Sequence, residues 1–245
     1  MIADIITILK KELREFLLQT HGLRGGRLGI LVFMVIFGII IPLQGGREWL
    51  DSPANLFVWG WMPFLLVSSV VADSFAGERE RHTLETLLAT RLSDRSILIG
   101  KIIAALAYGW GITIVSALLS LVTINVTYGG GRLLLFPWKI GFGVIAISLL
   151  IAGMSAGLGV LISLRAATVR QAQQTFSLAF FILFIPLFFL PMLPNEWKLK
   201  ITQALVKVNM DIIVMAALGI LLIFDLALFT AAAARFQRTR LILEE

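Results

Sequence analysis

Cysteine is missing from this chain altogether, histidine occurs only twice, and charged residues make up 15% of its 245 positions. The first absence excludes a disulfide framework, a thiol nucleophile and any cysteine-ligated metal or iron–sulfur centre. The second excludes histidine-dependent chemistry within apolar segments, because His21 and His82 both fall in charged stretches, whereas an intramembrane protease needs imidazoles at depth. The third sets the chain apart from soluble domains, in which about 25% of residues are charged. A nucleotide-binding loop is also lacking: Gly100-Lys101 has neither the earlier glycine nor the following Ser or Thr of such a loop. No paired carboxylates face each other within the apolar runs. The chain itself is therefore not expected to be an enzyme, and no catalytic residue, metal or cofactor is assigned to it.

What the chain has in abundance is apolar sequence, 58% of its residues. A membrane-spanning helix needs about 20 mostly apolar residues, and six runs approach or meet that length: Leu28–Leu43, Asn55–Ala72 (with Pro63 inside it), Ile102–Val126, Ile140–Ser163, Phe176–Leu193 and Ile212–Ala234. Backbone amides cannot stay unpaired in lipid, and the runs do not alternate as barrel strands do, so the expected fold is all-α and integral to the membrane. Six spans place both termini on one side. Fifteen of the 21 Lys and Arg residues fall in the two terminal segments and in the connections after the second and fourth runs. Only Arg47, Arg132, Lys139, Lys198, Lys200 and Lys207 fall on the other side. Positive charge marks the inner face, so both termini are expected in the cytoplasm and the chain in the inner (plasma) membrane. The net charge of +6 is thereby explained by topology and gives little support to a nucleic-acid partner. The first apolar run follows a 27-residue charged segment with no small-residue cleavage site after it, so a signal peptide is not expected.

Three connecting segments have patterns of their own. In residues 1–22, Ile2, Ile5, Ile6, Leu9, Leu13, Phe16 and Leu17 recur at helical spacing, with Lys10, Lys11, Glu12, Arg14 and Glu15 over most of the other face. This predicts an amphipathic helix on the membrane surface, with Gly22, Gly25 and Gly26 providing the bend into the first span. Residues 73–101 form the longest polar stretch on the inner side. There Leu84, Leu87, Leu88 and Leu92 form one helical face, and Ser93-Asp94 predicts an N-cap for the helix rising into the third span. A solvated connector needs no such stripe, so docking on membrane, on neighbouring helices or on a partner protein is expected. Residues 194–211 carry Trp197, Ile201, Leu205 and Val208 at helical intervals, predicting an outer amphipathic helix, or a re-entrant one given Pro186, Pro191 and Pro194 before it.

Asp225 is an acidic residue inside an apolar run, the sixth. A charge at the bilayer centre costs about 2.5–3.5 kcal/mol on insertion scales, so it should pair, protonate or face water. It is a candidate pathway residue or an internal structural partner. Gly153 and Gly157 make a small-xxx-small step for close helix packing, within the chain or across a dimer. Trp49, Trp138 and Trp197 fall near the expected outer interface, as an aromatic belt would.

The segment from Phe75 to Lys101 resembles the cytoplasmic loop of ABC type-2 exporter permeases, whose pattern is roughly ERE-x-GTLE-x-LL-x-TP-x-S followed by an apolar stretch and GK. The matching residues are Glu78-Arg79-Glu80, Thr83-Leu84-Glu85, Leu87-Leu88, Thr90, Ser93 and Gly100-Lys101. His82 stands where the pattern has Gly, and Arg91 where it has Pro. The resemblance implies that residues 73–101 hold a coupling helix docking into a separate ATP-binding subunit, through Glu78, Arg79, Glu80, Thr83, Leu84, Glu85, Leu87 and Leu88. It implies that residues 1–22 are an elbow helix. It also implies that two permease chains, most simply a homodimer, enclose a translocation path while ATP and Mg are held by the partner. The alternative is a self-contained channel or secondary transporter, which should show several polar residues at mid-membrane; Asp225 and a few Ser and Thr are what the runs offer.

Overall fold

The computed structural model describes residues 1–18, 25–53, 55–83, 91–189, 192–198 and 210–236. Among these the elements are helical: α1 (Ile2–Leu18), α2 (Gly25–Val35), a π-helical segment (Ile36–Ile40), α3 (Ile41–Gly45), the short α4 (Glu48–Asp51), α5 (Asn55–Glu80), α6 (Asp94–Tyr128), α7 (Trp138–Ser163), α8 (Val169–Phe189) and α9 (Met210–Arg235). Five stretches are long and apolar enough to cross a membrane: Leu28–Gly45, α5, α6, α7 and Val214–Arg235. The fifth expected run falls mostly on α8, which begins earlier, at Val169, with a polar first turn. Of the expected outer helix, residues 199–209 lie outside the described residues, and 195–198 form one helical turn.

The long helices α5, α6 and α7 pack against one another, and the remaining helices pack around them. In lipid the helices gain little from the hydrophobic effect on meeting, so close backbone approach and buried hydrogen bonds must hold them. The α5–α7 seam shows both. Ser155 Oγ donates to the Phe64 carbonyl at 2.8 Å, and a Cβ on Gly60 would stand 2.8 Å from Ile151. The helix α8 is held to α5 by rings: Phe64, Phe180 and Phe184 pack at 4.7–5.6 Å between centroids. The first span carries a π-helical interruption, whose loosened Gly38 carbonyl accepts from Thr123 Oγ1 of α6 at 2.8 Å. At the end of the bundle away from Glu80 and Asp94, Arg47 donates to the Tyr128 carbonyl and Tyr128 Oη to that of Leu43.

Three sequence expectations change. First, α1 presents Ile8 and Glu12 to the bundle, both buried, and leaves Ile2 and Ile6 exposed. A helix that packs on a bundle must bury a face of its own, and here Ile8 and Glu12 supply it from outside the obvious stripe. Second, Trp49 is not a belt residue: it is buried and meets Trp59 edge-on at 5.9 Å, while Trp138 and Trp197 are exposed. Third, most of the 73–101 segment is not loop. Helix α5 runs on to Glu80, past the expected end at Ala72, whereas α6 starts at Asp94 under the expected Ser93 cap, whose Oγ accepts from the Ser96 amide.

Candidate functional site: the anchored base of the 73–101 segment

Helix α5 ends in a complete C-terminal lock. The Thr83 amide bonds the Glu78 carbonyl at 2.9 Å and the His82 amide bonds that of Arg79 at 3.0 Å, the paired closure that requires a left-handed residue at the turn. His82 is that residue, with φ of 56°. This accounts for the glycine that the resembling pattern places there, since a side chain in this region costs roughly 1–2 kcal/mol. His82→Gly is expected to stabilise the turn by about 0.5–1 kcal/mol net, after the extra unfolded-state freedom of glycine is subtracted. Slower amide exchange at residues 82 and 83 is the measurement; unchanged exchange would count against the strain.

Beneath this turn lies a buried ion cluster drawn from three helices. Lys101 of α6 is 1% exposed, Glu12 of α1 is 2% exposed and Glu78 of α5 is 12% exposed at their side chains. Lys101 Nζ stands 3.0 Å from Glu12 Oε1 and 2.9 Å from Glu78 Oε1, and donates to the Ser74 carbonyl at 2.8 Å. Ser74 Oγ at 3.1 Å is a fourth acceptor, so all three ammonium protons have a partner. Ser74 Oγ donates to the other Glu12 oxygen at 2.8 Å, and the Phe75 ring lies 5.3 Å from the ammonium. Lys11 stands at the rim, 3.5 Å from Glu78 and 3.6 Å from Glu15. Partial burial opposes its charge, yet Glu12, Glu78 and Glu15 together hold its pKa above the ordinary lysine value. It stays cationic at neutral pH. The neighbouring Gly100 admits α1, because a Cβ there would stand 2.8 Å from Ile8.

The next two residues reach a different part of the chain. Arg79 Nη1 donates to the Ala166 carbonyl at 3.2 Å, in the turn between α7 and α8. Glu80 accepts from the Val169 amide at 3.0 Å, placing a carboxylate on the N-terminus of α8, where a negative charge is favoured. Arg81 pairs back to Asp73 at 2.7 Å. Consecutive residues 78, 79 and 80 thus tie the end of α5 to α1, α6, the α7–α8 turn and α8. Thr83 joins the helix end through its own Oγ1, which donates to the Glu78 carbonyl at 3.2 Å. Leu84, Glu85, Leu87 and Leu88 lie outside the described residues. The sequence named Glu78, Arg79 and Glu80, but Lys101 and Glu12 passed as surface charges, and Ala166 and Val169 act through backbone groups that no side-chain pattern reveals.

Asp225 and the glycine step fall elsewhere, on the α7–α9 seam. Asp225 is buried against Gly153, and its Oδ1 has no hydrogen-bond partner among the described residues. A Cβ on Gly153 would stand 2.7 Å from Asp225 Oδ2, and one on Gly157 would stand 2.8 Å from Leu228 Cβ. The small step therefore serves packing within the chain. Gly157→Ala is expected to cost about 1–3 kcal/mol by overpacking, because Leu228 Cβ is fixed to its backbone. Gly153→Ala should cost less, since the Asp225 carboxylate can swing aside. Thermal unfolding of the two variants in detergent tests the order, and a larger loss in Gly153→Ala would refute it.

A bundle of apolar helices long enough to cross a bilayer, with a polar segment braced on several of them at one end, defines a multi-pass membrane protein. The family model described as ABC-2 family transporter protein matches residues 60–241, and the chain belongs to that family. It is also 30% identical over 154 residues to the ABC transporter permease protein NatB of Bacillus subtilis (strain 168). That alignment covers 57% of this chain and 39% of the relative, so the match spans less than half of the relative's length. The family is a transport membrane component, and the chain is accordingly a membrane subunit of an ABC transporter.

Proposed function

We propose that this chain is the permease subunit of an ABC exporter, that two copies enclose the translocation path, and that a separate ATP-binding subunit drives it by docking on residues 81–93. In this reading both termini and the docking segment face the cytoplasm, in agreement with the charge distribution. The observation that carries it is the anchoring of Glu78, Arg79 and Glu80. A force applied beyond Glu80 reaches α1 and α6 through Glu78 and Lys101, and reaches α8 through Val169. These three residues therefore transmit, while docking falls to the residues that follow them. Glu78 in particular is committed inside the chain and is not free to pair at a partner's rim. A connector without a mechanical task needs no such bracing.

The test is co-purification. The tagged chain, extracted from native membranes in mild detergent, is expected to bring down a stoichiometric ATP-binding subunit and a second copy of itself. Transport by the chain alone in proteoliposomes, driven by an ion gradient without ATP, would establish the secondary-transporter alternative instead.

A further inference from the structure

A cavity of about 350 Å³ opens among α7, α8 and α9 at the same end of the bundle, lined by Leu161, Ile162, Arg165, Ala166, Gln171, Thr175, Ala231 and Arg235. Its composition is divided. Leu161, Ile162 and Ala231 give it apolar walls, while Arg165 follows the last turn of α7 and Arg235 closes α9. Among the described residues no carboxylate pairs with either arginine. Gln171 and Thr175 come from the first turns of α8, whose N-terminus adds positive potential. The side-chain oxygen of Gln171 is already occupied by the Ala167 amide at 2.9 Å, which leaves its NH2 group free to donate. Two guanidinium groups would each complement a helix C-terminus wherever they pointed. That does not explain why both line one cavity that also offers the Gln171 amide and, among the described residues, lacks an acid.

We propose that this cavity binds the phosphate group of an anionic phospholipid, with Arg165 and Arg235 holding the phosphate and the apolar walls receiving the start of the acyl chains. Guanidinium forks suit phosphate oxygens, and basic pockets between spanning helices at this level take anionic headgroups. The size favours a lipid over bare phosphate, since it lies in the range of small-molecule sites, roughly 300–1,000 Å³. The site is distinct from the ion cluster on α1 and α6, and the inference requires only that the chain sits in a bilayer, not that an ATPase drives it.

Native mass spectrometry of the purified full chain, titrated with phosphatidylglycerol and with phosphatidylcholine, tests it. The wild type is expected to bind phosphatidylglycerol about tenfold more tightly than phosphatidylcholine. The pair Arg165→Gln and Arg235→Gln should erase that preference. The pair Arg165→Lys and Arg235→Lys should keep most of it, which separates loss of charge from damage to the fold. Arg170→Gln, on the exposed side of the first turn of α8, should leave it unchanged. Equal binding of the two lipids by the wild type, or a preference surviving in the double Gln variant, would overturn the proposal. Displacement of phosphatidylglycerol by millimolar inorganic phosphate would overturn the lipid assignment and make a soluble phosphate the ligand.

Discussion

Lys101→Met is expected to destabilise the chain by about 3–5 kcal/mol, the range for breaking a buried ion pair on one side. The substitution leaves Glu12 and Glu78 facing each other with their shared cation gone, in a place where water does not reach Glu12. Lys11 already stands 3.6 Å from Glu12 and 3.5 Å from Glu78, but it is half-exposed and shared with Glu15, so it offsets only part of the loss. The helix α1 should then detach first, because Glu12 and Ile8 are its buried anchors. The double variant Glu12→Gln with Lys101→Met removes one carboxylate with the cation and should recover part of the loss. Thermal unfolding in detergent reads the stability, and amide exchange along α1 reads the detachment. A Lys101→Met protein as stable as the wild type would show that the cluster contributes nothing net.

Charge reversal at Glu80 and at Glu78 should have different consequences. Glu80→Lys puts a cation on the N-terminus of α8 and beside Arg79, so the tie to α8 is lost while the ion cluster stays intact. On the proposed function, the expected outcome is a complex that assembles and hydrolyses ATP but transports roughly 5- to 150-fold less, the span that a loss of roughly 1–3 kcal/mol of coupling free energy covers. Glu78→Lys instead drives a second ammonium against Lys101, 2.9 Å from the present carboxylate oxygen, and should fail in folding before any question of coupling arises. Transport and ATP hydrolysis measured on the same reconstituted sample separate the two cases. Undiminished transport in Glu80→Lys would remove Glu80 from the transmission path.

The helices were legible in the sequence because lipid imposes a simple rule: long apolar runs must be helical. Ser93 was legible as a cap for the same local reason, its hydroxyl reaching an amide three residues on. What was not legible depended on partners distant in the chain. Lys101 follows a glycine at the edge of an apolar run, which is where a topology-setting lysine also sits. Nothing local says that Glu12, 89 residues away, will meet it. Ile8 is one residue off the conspicuous apolar stripe of α1, yet it is the one that fills the space over Gly100. Trp49 looked like an interface residue by position, and only the packing of Trp59 against it reveals a core role. The site's acidic and basic triplet was visible through resemblance, whereas its backbone receivers, Ala166 and Val169, are set by where two helices end.

The position of Lys101 along α6 has a mechanical consequence. The helix runs from Asp94 to Tyr128, 35 residues, and Lys101 lies near its start. At about 1.5 Å per residue, a rod held at Lys101 has a short arm of about 10 Å toward Asp94 and a long arm of about 40 Å toward Tyr128. In a structure that rocks about this point, the ion cluster would be a fulcrum placed close to one end. A push of about 1 Å on the short arm swings the far tip by about 4 Å the other way, in the ratio of the two arms. On the proposed function, gearing of this kind would turn small travel at Asp94 into larger travel at the opposite end, where Tyr128 holds Arg47 and Leu43.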